Sequence, residues 1–237
     1  MSNYFNPENG FFSALSKIFD LIILNLIYVL MNTPFALTLY LNVAMLFSEE
    51  TSWNPVVILA ALVFGFVLVP SSTALYYAVV KSVRHHRGYP VREFFRSFKM
   101  NFRQGVGASY IFVVMGGLLI FDFWYGLQVL NQNGTMASLM LFTVISFFLI
   151  ATFLYYCPVL SRFKMKQWNA LKFSLGLSAH HIGYTLLFVL LWLTFAVLGY
   201  LTRGLTLFIL LAAGVYGESF FMEKILKKYV LKALENQ

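Results

Sequence analysis

The chain has 237 residues, of which 60% are hydrophobic, 19% aromatic and 11% charged. A soluble domain carries about 25% charged residues, so this supply could not cover a water-facing surface, and composition excludes an ordinary soluble enzyme and a disordered chain alike. The net charge of +8 would suggest nucleic acid in a soluble protein, but with a mean hydropathy of +0.76 the cations matter by position, and the expected surroundings are a lipid bilayer with no nucleic-acid partner.

A helix needs roughly 20 apolar residues to cross about 30 Å of hydrocarbon. The first candidate span, 18–47, is overlong and interrupted by Asn32-Thr33-Pro34. No Lys or Arg occurs from Ser2 to Ser16, and the apolar run that follows is too long for the core of a cleavable signal, so this span is expected to stay in the mature protein. An acidic turn, SEETSWNP, leads into the second span, 56–80, with Pro70 inside it. A basic segment, 81–105, precedes the third span, 106–129. The neutral turn NQNGT, 131–135, precedes the fourth span, 136–160, and a second basic segment covers 161–181. The apolar stretch 182–222 is broken only by Thr202-Arg203-Gly204 and is about two crossings long, which predicts a hairpin of spans 182–201 and 205–222. Lys224, Lys227, Lys228 and Lys232 follow.

With six spans, 16 of the 17 basic residues fall on one side and only Arg203 on the other. Excess Lys and Arg marks the cytoplasmic side, so both termini and both basic segments are expected there. The fold class is thus an all-α integral membrane protein, a six-span bundle forming one domain over 1–237.

Pro90 to Gln104 reads as an amphipathic helix opened by Pro90. At about 100° per residue, Val91, Phe94, Phe95, Phe98 and Phe102 share one face, with Arg92, Arg96, Lys99 and Arg103 in a stripe roughly 110° away. Phenylalanine toward the acyl boundary and cations at the headgroups describe a cytoplasmic helix lying in the membrane interface. The same pattern suits a docking surface for a cytoplasmic partner or a neighbouring membrane protein. The segment 161–181 echoes it, since Phe98-Lys99-Met100 matches Phe163-Lys164-Met165. A duplicated hairpin and chance both explain a three-residue identity.

Candidate chemistry is sparse. His85-His86 and His180-His181 are adjacent pairs, which do not converge on one ion as an i, i+4 pair does, so no metal site is expected. The single cysteine, Cys157, excludes an intramolecular disulfide and reads as a small apolar filler. Asp20, Asp122 and Glu218 each fall near a span end, which favours snorkelling or capping over a proton relay, and Glu218 is expected to pair with Lys224 or a loop arginine. The polar candidates inside spans are Asn25, Asn32, Thr33, Asn42, Ser71, Ser72 and Thr73, beside Pro34 and Pro70. Two proline-broken helices at one depth are the pattern of transporter helices, and equally of two kinks with interhelical hydrogen bonds. Ala61 with Gly65, Gly116-Gly117, and Ala213 with Gly217 offer close packing. The sequence has no Walker motif, G-x-S-x-G, HExxH or C-x-x-C, so neither an enzymatic activity nor a cofactor is expected.

The segment PSSTALYY from Pro70, followed by KSVRHHRGYPVREFFRSFKMNFRQG, resembles the YesL family, bacterial membrane proteins of unknown function. The resemblance extends to LIILN from Leu21, with Pro34 nine residues after Asn25, and to PVLSRF from Pro158 to Phe163. Many members pass from the asparagine-proline element almost directly into the Thr-Ala-Leu-Tyr element, whereas here residues 35–69 intervene. The resemblance implies a multi-pass protein of the bacterial cell membrane whose partners are carbohydrate ABC transporter subunits, because members are often encoded beside such importers. The functional expectation is an accessory or regulatory subunit of such a system. The alternative is a small-solute transporter or channel built on the first two spans.

Overall fold

A computed structural model describes residues 10–46, 54–85, 88–130, 136–202 and 207–235. The NQNGT turn, residues 48–53, His86, Arg87 and Arg203 lie outside them. The described residues are helical almost throughout and contain no strand.

Helix α1, Gly10–Leu46, passes through Pro34 without a break, which corrects the expected interruption. Pro34 removes one N–H, but the polar side chains beside it hold to the helix's own carbonyls, Asn32 to that of Tyr28 at 2.8 Å and Thr33 to that of Val29 at 2.7 Å. One lost ladder bond is tolerated in a helix of 37 residues. The second span is the broken one. Asn54 caps it by accepting from the Val56 N–H at 3.0 Å, and Pro55 supplies the first turn. Helix α2, Pro55–Phe64, tightens into a 3-10 turn at Gly65–Val67, resumes as α3, Leu68–Ala78, and loosens into a π turn at Val79–Arg84.

Helix α4, Pro90–Leu130, is a single helix of 41 residues. The basic segment 90–104 is therefore no separate interfacial helix but the first turns of the third span; Gly105 and Gly107 cost helix stability without stopping it. The fourth span is α5, Met136–Arg162, and the second basic segment forms its own helix, α6, Gln167–His180. His181, outside helical geometry at φ −109° and ψ 45°, separates α6 from α7, Ile182–Leu201. The two basic segments thus join their spans differently, which weakens the case for a duplication. The last helix is α8, Leu207–Glu235.

Among the described residues, five stretches are long and apolar enough to cross a membrane: 14–46, 55–84, 90–127, 140–162 and 182–201. Helix α8 is not among them, because Glu218, Glu223 and Lys224 interrupt its apolar run. Leu30, Leu59, Leu141, Leu190 and Tyr200 are among many apolar side chains that point outward, as expected of a surface solvated by acyl chains.

Helix α3 runs through the centre, and nearly every residue from Val69 to Ala78 is buried. Around it pack Leu24 of α1, Phe94 and Phe112 of α4, Tyr155 and Tyr156 of α5, Phe188 of α7 and Met222 of α8. Glycines permit close approaches between the second span and α4. A Cβ on Gly65 would lie 2.8 Å from Val113 Cγ2, and one on Gly105 would lie 2.8 Å from Pro70 Cγ. A Cβ on Gly116, Gly117 or Gly217 would meet nothing within 4 Å, so these three are not the packing positions that the sequence suggested.

Candidate functional site

The break in the second span is closed by another helix. Pro70 has no N–H to give the Phe66 carbonyl. Ser109 of α4 donates to that carbonyl at 3.0 Å and accepts from the Val69 N–H at 2.9 Å. The polar residues next to Pro70 do not do this: Ser71 and Ser72 bond back to the Leu68 carbonyl at 3.1 and 2.7 Å, and both also reach α1.

That α1–α3 seam gathers most of the polar candidates. Asn32 donates to Ser71 at 2.9 Å, and the Tyr28 and Ser72 hydroxyls lie 3.1 Å apart. Asn25 accepts from the Ala212 N–H at 2.9 Å and so ties α1 to α8. Asn42 donates to the Val57 carbonyl at 3.1 Å and ties α1 to α2. Thr73 is wholly buried in α3. These side chains join helices, and interhelical hydrogen bonds of this kind in membranes are worth about 0.6 kcal/mol on average.

One end of the bundle is an ionic lock. Glu93, 6% exposed, accepts from Lys81 at 2.7 Å. Gly88, between them in the chain, sits at φ +89°, a backbone conformation that favours glycine. Arg84 donates to the Ser219 carbonyl at 2.5 Å and sits 4.6 Å from the centre of the Phe220 ring. Arg162 pairs with Glu223, whose carboxylate is also 3.9 Å from His85 Nε2. Gln104 donates to the Met165 carbonyl. The two basic segments and the second half of α8 therefore meet at one end of the bundle. The Lys81 side chain remains 29% exposed, so the pair contributes little net stability and acts mainly to fix geometry.

The aromatic face of 90–104 turns inward. Phe94 is fully buried, Phe98 packs against the core, and Phe102 meets Phe66 edge-on at 6.1 Å. Of the phenylalanines read as facing lipid, only Phe95 is substantially exposed. Arg92, Arg96, Lys99 and Arg103 all remain exposed along one side of α4. The cations are thus presented by a helix anchored through its own aromatic face.

Sequence reasoning missed the centre of the bundle. Glu218 is 3% exposed and takes one hydrogen bond, from Trp192 Nε1 at 3.3 Å. Among the described residues no cation lies within ion-pair distance of it; Arg162 is engaged by Glu223 instead. Glu218 borders a cavity of about 50 Å³ that Tyr28, Ser72, Tyr76, Cys157 and Trp192 also line. The Tyr76 hydroxyl is buried there without a hydrogen-bond partner. A second, apolar groove of about 660 Å³ opens between α1, α2 and α4, with Phe35, Leu39, Ile58, Val113 and Gly117 in its wall. Among the described residues no three His, Cys, Asp or Glu side chains gather as for a metal ion.

Over residues 21–123, from α1 through most of α4, the chain is similar to the family described as "Protein of unknown function, DUF624". No curated protein and no solved structure matches it.

Proposed function

We propose that this chain is an accessory or regulatory protein of a bacterial cell membrane, of YesL type, that works with a carbohydrate ABC importer and catalyses no reaction itself. In this reading α8 is the sixth span, both termini are cytoplasmic, and the end carrying the ionic lock faces the cytoplasm. The observation that carries it is the stripe of Arg92, Arg96, Lys99 and Arg103, exposed on the rigid extension of a spanning helix. Cations on such a mount offer a fixed pattern to acidic groups of a partner, whereas an independent interfacial helix would drift with the lipid. The importer as partner rests on the family resemblance.

The test replaces all four cations with Gln. Each is worth about 1 kcal/mol near an anionic surface, far less than the insertion of five apolar helices, so membrane abundance should hold. Recovery of importer subunits from native membranes, and sugar uptake, should fall. A variant that keeps its partners and full uptake overturns the reading.

The alternative, a small-solute transporter or channel, draws support from the cavity beside Glu218. It predicts the reverse ranking, with Asn25→Leu and Asn32→Leu abolishing uptake while the charge-stripped variant transports normally.

A further inference from the structure

An ionised carboxylate inside a helical bundle loses its hydration, and the idealised cost of that transfer is of order 20 kcal/mol before relaxation. Proteins meet it with a paired cation, a bound cation or a proton. Glu218 has no paired cation among the described residues, and the Trp192 N–H is its one donor. A single neutral donor falls far short of the two or three that stabilise a buried carboxylate. Beside it lies a cavity rather than packed hydrocarbon, its lining mostly apolar but including the hydroxyl-bearing residues Tyr28, Ser72 and Tyr76. A water-sized sphere needs about 10–15 Å³, so the cavity of about 50 Å³ has room for a dehydrated ion or a few waters. Oxygen atoms line it: the Tyr28 and Ser72 hydroxyls, and the Tyr76 hydroxyl, which has a hydrogen-bonding position unused. A single carboxylate with hydroxyl oxygens beside it balances one positive charge and no more.

We propose that Glu218 and this cavity form a site inside the bundle for one small monovalent cation, a proton or a sodium ion. The groups around it contribute no competing positive charge. Tyr28 of α1, Tyr76 of α3, and Tyr155 and Cys157 of α5 are neutral. On α8 itself Glu223 is engaged by Arg162, and Arg84 is spent on the Ser219 carbonyl. Helices α1, α3, α5, α7 and α8 all contribute a wall, so occupancy tightens five helices at once. The site stands independently of the accessory reading, and its test needs no partner and no transport assay.

The indole of Trp192 reports on the site directly. In the full chain with Trp53, Trp124 and Trp168 changed to Phe, reconstituted in nanodiscs, Trp192 emission is followed from pH 5 to pH 10 in choline chloride and again in sodium chloride. The site predicts a single-proton transition that Glu218→Gln abolishes. If the site also takes sodium, the midpoint falls by about one pH unit for each tenfold rise in sodium, as one-for-one exchange requires; if it takes only protons, the midpoint is unmoved by sodium. Should Glu218→Gln not fold, Glu218→Asp keeps a carboxyl but withdraws it from the indole, and the transition should remain with a smaller emission change. Emission that ignores both pH and sodium, or a transition that survives Glu218→Gln unchanged, overturns the proposal.

Discussion

Ser109 holds the discontinuity at Pro70 together, and that role is measurable as a coupling. Ser109→Ala removes two bonds, the one donated to the Phe66 carbonyl at 3.0 Å and the one accepted from the Val69 N–H at 2.9 Å. The carbonyl then has no partner, because Pro70 cannot donate to it. A polar group left alone in an apolar interior costs about 1–3 kcal/mol, while single side-chain bonds in membranes average about 0.6 and reach about 1.7 kcal/mol. The expected loss is about 2 kcal/mol. In a Pro70→Ala background the new N–H can reach the Phe66 carbonyl, which leaves only the Val69 bond at stake. There Ser109→Ala should cost about 1 kcal/mol, and the difference of about 1 kcal/mol is the coupling energy. Reversible unfolding in mixed micelles with increasing dodecyl sulfate, on the four members of the cycle, measures it. Distant sites add to within about 0.5 kcal/mol. If Ser109→Ala costs the same in both backgrounds to that precision, the hydroxyl is not standing in for the missing proline N–H, and the account of the break is wrong.

Gly105→Ala should destabilise by about 1–3 kcal/mol in the same assay, because its methyl would meet the stiff Pro70 ring at 2.8 Å and the Pro70 nitrogen at 3.1 Å. Pro70→Ala should recover much of that loss, and Gly116→Ala, whose methyl meets nothing within 4 Å, should cost nothing. His181 makes stability fall in mild acid. Burial first, then His180 and Lys228, lower its pKa from the ordinary 6.5, so the folded state favours the neutral ring. The unfolded chain therefore binds its proton at higher pH, and stability drops as pH falls below 6.5 until the folded ring also protonates. His181→Gln should flatten thermal unfolding between pH 7 and pH 5, and an unchanged slope would assign the acid sensitivity to another group.

Much of the architecture was legible because span length and apolar runs are strong signals. The α7 bounds, Ile182–Leu201, coincide with the span read from the sequence, since His181 and Thr202 interrupt the pattern there. Local connections were less legible. The face of Phe94, Phe98 and Phe102 was correctly placed on one side of a helix, but periodicity says only that a face is apolar, and lipid and a protein core satisfy it equally. The structure spends that face on the core. The two prolines were also indistinguishable in sequence. Pro34 sits in an unbroken helix while Pro70 follows a 3-10 turn, and the difference lies with Gly65 and Gly105, which allow α4 to close upon the second span.

Glu218 was misjudged for a related reason. Its position near the end of the last apolar run suggested a side chain able to reach water, which holds for an isolated helix. In the bundle, depth along the span matters less than direction around α8. Val215, Glu218, Met222 and Ile225 recur at helical spacing, and all four are buried. A carboxylate inserted in that series must face the core wherever the membrane boundary falls, because its neighbours one turn before and one turn after already do. Lys224 and Lys227 lie off this face and stay exposed, which is why the expected pairing with Lys224 does not form. Glu223, one turn below Ser219 and rotated from Glu218, is the acid that reaches Arg162. The sequence therefore held the signal in the register of α8. Glu218 and Glu223 divide the work by that register, Glu223 closing the ionic end and Glu218 left to find its positive charge in the cavity.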